Sequence, residues 1–223
     1  MENIIQNITV MALPLLFAIT LHEAAHGWVA WKLGDNTAKM MGRVSFNPLV
    51  HVDPFGTILL PLLLVWSGTG FLFGYAKPVP VNVRQLNNPR RDGVLVALAG
   101  PAANIILVIG AAILIRFLGF FPETGRDWLG YNLFYMIYIN ALLAVFNMIP
   151  IPPLDGGRVA VGILPYPLSL YLNRLEPYGM LIILGLIFII PMLGRQIGMD
   201  LNILWYIMRP AINFITGLAL PDQ

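Results

Sequence analysis

The stretch Leu21-His22-Glu23-Ala24-Ala25-His26-Gly27 sets two imidazoles four residues apart, with a carboxylate beside the first. Residues four apart lie one turn apart on the same helix face. His22 and His26 can therefore direct ring nitrogens to one ion at the roughly 2.0–2.1 Å that zinc requires. Glu23 is rotated about 100° from His22, so it borders the ion and can hold its water without ligating it. The neighbours Phe17, Ile19, Leu21, Trp28, Val29 and Trp31 are apolar. A carboxylate in hydrocarbon costs several kcal/mol unless it is paired or put to use, so a solvated helix face explains this pattern poorly.

A catalytic zinc takes three protein ligands and keeps one position open. The chain has three histidines and no cysteine, which leaves His51 and the acids as candidates for the third. His51-Val52-Asp53-Pro54 reads as a polar turn before an apolar run, which makes His51 a structural or rim residue. The other candidate is Asp155, in Asn147-Met148-Ile149-Pro150-Ile151-Pro152-Pro153-Leu154-Asp155-Gly156-Gly157-Arg158. The prolines end the preceding helix and hold the chain extended, and the glycines allow a close, irregular approach. Taken alone, Asp155 reads better as a helix N-cap.

The elements that must carry these residues follow from composition. Of 223 residues, 58% are hydrophobic and 11% charged, with a net charge of +2. Soluble domains are about 25% charged, so a water-soluble globule and a disordered chain are both excluded, and the sparse basic residues form no stripe for nucleic acid. The sequence predicts an all-α, polytopic membrane protein forming one domain over 1–223, without a soluble accessory domain. Its five to six transmembrane or re-entrant segments are at about 7–33, 54–73, 93–118, 130–152 and 177–195, with a weaker one at 201–219. The N-terminus carries Glu2 where a signal peptide would be basic, which predicts a retained first span.

Lys39 and Arg43 in one connection, and Lys77, Arg84, Arg90 and Arg91 in the next, place both on the cytoplasmic side. Segment 54–73 must then start and finish on that side, and Ser67-Gly68-Thr69-Gly70 offers the break for a re-entrant path. Joining Asp155 to His22 and His26 requires the same topology. Apolar alternation at Val79, Val81 and Val83, and at Val44 and Phe46, predicts a small cytoplasmic-side β-sheet whose proline-bearing 78–84 strand lies at an edge, able to pair with an extended peptide.

The two motifs, with Ala99-Gly100-Pro101-Ala102-Ala103-Asn104 between them, resemble the site-2 protease family of intramembrane zinc metalloproteases, in its short forms without PDZ or CBS domains. The stretch from Asn147 to Gly156 is similar to the family's NxxPxxxLDG. The resemblance implies Zn2+ as cofactor, His22, His26 and Asp155 as its ligands, Glu23 as the catalytic residue, and Asn147 as a holder of the substrate backbone. Asn140, one helical face away, offers a second amide for substrate, and it and Asn104 can instead bind helices together at about 0.6–2 kcal/mol. Also implied are transmembrane protein substrates, and a multi-pass location in the plasma membrane with the active site toward the cytoplasm. A zinc-binding or zinc-transport protein is the alternative. It also places His and Asp in spans, but has no use for a general base at Glu23.

Overall fold

The computed structural model describes residues 2–59, 62–63 and 74–220. Helix α1 (Glu2–Lys32) opens the chain, followed by the short α2 (Thr37–Met40). Asn88 starts α3 (Pro89–Ile115): its side chain accepts the Arg91 N–H, and Pro89 occupies a first-turn position where no N–H is missed. Next come α4 (Glu123–Asn147), α5 (Asp155–Ile163), α6 (Tyr166–Asn173), α7 (Glu176–Gln196) and α8 (Ile203–Ala219).

Among the described residues, four helical stretches are long and apolar enough to cross a bilayer: Val10–Lys32, Pro89–Ile115, Glu123–Asn147 and Glu176–Gln196. Helix α8, with 17 residues, is shorter, and it packs on α4 through a buried face that includes Met208 and Ile212. Helix α3 is central, touching α1, α4 and α5. Its Val108, Ala111 and Ala112 form a core with Leu133, Ile137 and Ala141 of α4 and Ala219 of α8. The alanines let the helix backbones come close, which is how helices associate where lipid removes the hydrophobic drive. Outward-facing Ile106, Ile109, Phe214 and Leu218 suit hydrocarbon.

The predicted β-sheet is absent: no β-strand occurs among the described residues. Pro78 and Pro80 have no N–H to give. Three other donors of this stretch go to side chains and a loop. Val79 N–H goes to Glu23, Asn82 N–H to Asp35, and Lys77 N–H to the His51 carbonyl. The Arg43 guanidinium takes the carbonyls of Lys77 and Pro78, and residues 83–85 turn into a 3-10 helix. A stretch whose valine alternation looks like a ladder is thus tied to the carboxylates of Glu23 and Asp35 and to the buried Arg43.

The predicted break at Ser67–Gly70 lies outside the described residues. The ends of its segment are side by side: Tyr75 N–H donates to the Gly56 carbonyl at 3.0 Å, and Thr57 Oγ1 donates to the Tyr75 carbonyl at 2.8 Å. Asp53 caps the first turn of this segment, accepting from Phe55 and Gly56.

Candidate active site

Helix α1 presents His22, Glu23 and His26 on adjoining faces, as their spacing requires. Asp155 is the first residue of α5, and its carboxylate turns to α1 instead of capping its own helix. Two features set that approach. A Cβ at Gly156 would meet the Met148 carbonyl oxygen and sit 2.7 Å from that of Ile149, so only glycine lets α5 begin so close to the proline-rich turn. At the far end of α5, the Arg90 guanidinium of α3 donates to the carbonyls of Gly162 and Leu164.

The three side chains converge. His22 Nε2 and His26 Nε2 are 3.1 Å apart, and Asp155 Oδ2 lies 3.1 Å from the first and 3.3 Å from the second. All three residues are buried, and Oδ2 accepts no hydrogen bond of standard geometry. Together they form a group that could hold a metal ion among the described residues, and His51 is apart from them. His51 is buried with Nε2 3.0 Å from the Ser45 carbonyl and supports the loop that receives Lys77. Burial alone would push the Asp155 carboxyl up, but the imidazoles facing it hold it below the ordinary carboxylate range.

The donor set fits zinc. Two nitrogens and a carboxylate oxygen at ~3.1–3.3 Å approximate the edge of about 3.3–3.4 Å of a tetrahedron with 2.0–2.1 Å bonds. The Nδ1 atoms are occupied, by Asn104 Oδ1 at 2.6 Å from His22 and by the Val96 carbonyl at 2.6 Å from His26. Such partners put the proton on Nδ1 and leave Nε2 free for a metal. A Cβ at Gly100 would meet His26 Nε2 and lie 2.6 Å from His22 Nε2, so α3 backs directly onto the two imidazoles.

Glu23 stands beside this cluster, with Oε2 accepting the Val79 N–H at 2.7 Å. A cavity of about 180 Å³ opens in front of it, lined by His22, Glu23, Tyr75, Asn147, Met180 and Ile183 among others. Asn147 therefore stands at the pocket, its Nδ2 donating to the Leu143 carbonyl. Asn140 does not. It is fully buried behind His22, with Oδ1 accepting from Asn104 and Nδ2 donating to the Met136 carbonyl.

Sequence reasoning missed the Val79 N–H, a main-chain group that no side-chain motif encodes. It also missed Asp35 and Arg43, which fix the segment carrying it. Asp35 follows Gly34 at the end of α1, the one signal that pointed to it.

Residues 10–124 and 123–190 match Peptidase family M50. YwhC of Bacillus subtilis, provisionally named a zinc metalloprotease, is 39% identical over 194 residues, covering 82% of this chain and 81% of YwhC. Rip2 of Mycolicibacterium smegmatis, named in the same way, is 32% identical over 183 residues, covering 81% of this chain and 66% of Rip2. Rip2 of Mycobacterium tuberculosis H37Rv is 33% identical over 141 residues, covering 63% of this chain and 52% of that protein. No solved structure matches the chain. Agreement that runs from the first span to the seventh helix, in a protein built of apolar helices around a His, His and Asp cluster, has one reading: the chain belongs to Peptidase family M50 and is an intramembrane zinc metalloprotease.

Proposed function

We propose that His22, His26 and Asp155 hold the zinc, that Glu23 is the general base, and that Asn147 binds the backbone of a substrate unwound from its own membrane span. The observation that carries this reading is the meeting of three buried metal-ligating atoms beside a carboxylate that opens on a cavity. When bound, zinc lowers the pKa of a water and polarises a carbonyl. With Oε2 held by the Val79 N–H, Glu23 accepts a proton on Oε1 and delivers it to the leaving amide nitrogen. A helical substrate hides its carbonyls in its own hydrogen bonds, so it must unwind locally, and its bared backbone needs partners in the pocket. The Asn147 amide, at the pocket wall, supplies one.

We place the active site toward the cytoplasm of the plasma membrane and treat residues 1–223 as one membrane-embedded domain. Lys32, Lys39, Arg43, Lys77, Arg90 and Arg91 cluster at the end of the bundle that holds the site, where Arg43 meets Lys77 and Asn87 N–H donates to the Leu33 carbonyl. The decisive experiment compares wild-type protein with Glu23→Gln on a reporter containing a transmembrane segment, in detergent and in vesicles. Wild type cleaves it, while Glu23→Gln retains stoichiometric zinc and is about 10²–10⁴-fold slower. Zinc-loaded wild type that cleaves no span-containing reporter, helix-destabilised ones included, overturns the proposal.

A further inference from the structure

Behind the metal cluster, a file of amides crosses three helices, and proteolysis has no direct use for it. His22 Nδ1 on α1 faces Asn104 Oδ1 on α3 at 2.6 Å. Asn104 Nδ2 donates to Asn140 Oδ1 on α4 at 2.8 Å and to the Ala18 carbonyl at 3.3 Å. Asn140 Nδ2 donates to the Met136 carbonyl at 2.8 Å, with Met136 Sδ also 3.2 Å away. Both asparagines are sealed from solvent, at 0% exposure.

The direction of this file is fixed. A main-chain carbonyl can only accept, so the Met136 carbonyl commits Asn140 to pointing its NH₂ there and its oxygen at Asn104. Asn104 must then turn its own NH₂ toward Asn140 and Ala18, which leaves its oxygen for His22. An acceptor at Nδ1 demands a proton there, and the lone pair falls on Nε2, the atom facing Asp155 and His26. If Asn104 flipped, its oxygen would oppose both the Asn140 oxygen and the Ala18 carbonyl, acceptor against acceptor. The contrast with His26 is informative. Its Nδ1 partner is the Val96 carbonyl, which cannot flip and needs no second group to orient it.

We propose that Asn104 and Asn140 are positioning residues, forming a one-way hydrogen-bond relay that is anchored on the Met136 and Ala18 carbonyls and sets the zinc affinity through the tautomer of His22. The proposal rests on the reading of His22 as a zinc ligand. Plain interhelical adhesion would hold the fold together but leave metal affinity untouched.

The test measures zinc affinity by chelator competition on the full-length protein in detergent, without recourse to cleavage. Asn140→Leu removes the acceptor and weakens zinc by at least about tenfold, within the 10–100-fold range of outer-sphere partners. Asn140→Asp, studied at a pH where its carboxyl is protonated, donates its O–H to the Met136 carbonyl, still accepts from Asn104 and stays below about that tenfold loss. His22→Ala separates the two ideas. If it binds zinc as wild type does, the ligand reading falls. If it loses zinc while Asn140→Leu matches wild type, the relay falls and the ligand set stands. Asn140→Asp losing as much as Asn140→Leu also overturns the relay. Should Asn140→Leu fail to fold, ¹⁵N-histidine spectra of zinc-loaded wild type decide, since only three histidines contribute. His22 carrying its proton on Nδ1 supports the relay, and metal on Nδ1 overturns it.

Discussion

The carboxylate of Glu23 is held by the main-chain N–H of Val79, 2.7 Å away across 56 positions of sequence. Glu23 on α1 and the loop before α3 are therefore one unit. The Arg43 guanidinium grips Lys77 and Pro78 on one side of Val79, and Asp35 takes the Asn82 N–H on the other.

Val79→Pro tests that hydrogen bond. The segment already carries Pro78 and Pro80, and a proline favours extended backbone in the residue before it, so the substitution mainly deletes the N–H. A hydrogen bond to a charged group contributes about 1.5–3 kcal/mol, so kcat on a span-containing reporter falls about 10–100-fold. Zinc content, measured by atomic absorption, stays at wild-type level.

Asp35 is fully buried and accepts two N–H groups, from Thr37 at 2.9 Å and Asn82 at 2.6 Å. Asp35→Ala orphans both, at about 1–3 kcal/mol each. Thermal unfolding in detergent moves down by several degrees, and cleavage falls because Val79 is no longer pinned. An unfolding midpoint equal to wild type would show that the clasp contributes nothing.

Gly100→Ala drives a methyl group into the imidazoles of His22 and His26. Overpacking of this kind costs typically 1–3 kcal/mol, and here it falls on the two imidazoles proposed to hold the metal, so zinc binding weakens about tenfold or more. Circular dichroism in detergent remains that of the wild-type helical fold. Gly110→Ala on the same helix meets no neighbour and serves as the control, with zinc affinity unchanged.

The native chain has no cysteine, so single introduced thiols report topology cleanly. Lys39→Cys, in the connection after α1, reacts with an impermeant maleimide only after the inner face of the membrane is opened. Labelling from the outside of intact cells would reverse the proposed orientation.

The sequence alone determined the zinc chemistry and the helical membrane architecture. Both rest on local rules: a four-residue spacing is a helix face wherever the helix sits, and a run of about 20 apolar residues is a span whatever packs beside it. The prolines and glycines around Asp155 showed that its backbone is irregular, but only the resemblance of the whole motif pointed to its carboxylate. Only the tertiary structure decided which donors and acceptors meet across the chain. Val79, Val81 and Val83 alternate like a strand, yet the backbone of this stretch is claimed at Lys77 and Pro78 by Arg43, at Val79 by Glu23 and at Asn82 by Asp35, residues that adjoin it only after α1 and α3 pack. Asn140 and Asn147 look interchangeable in sequence, seven positions apart on one helix. Packing of α3 against α4 seals Asn140 behind His22, while the last turn of α4 leaves Asn147 at the pocket. Hydrogen bonds act over about 3 Å in space, a distance that sequence separation does not measure.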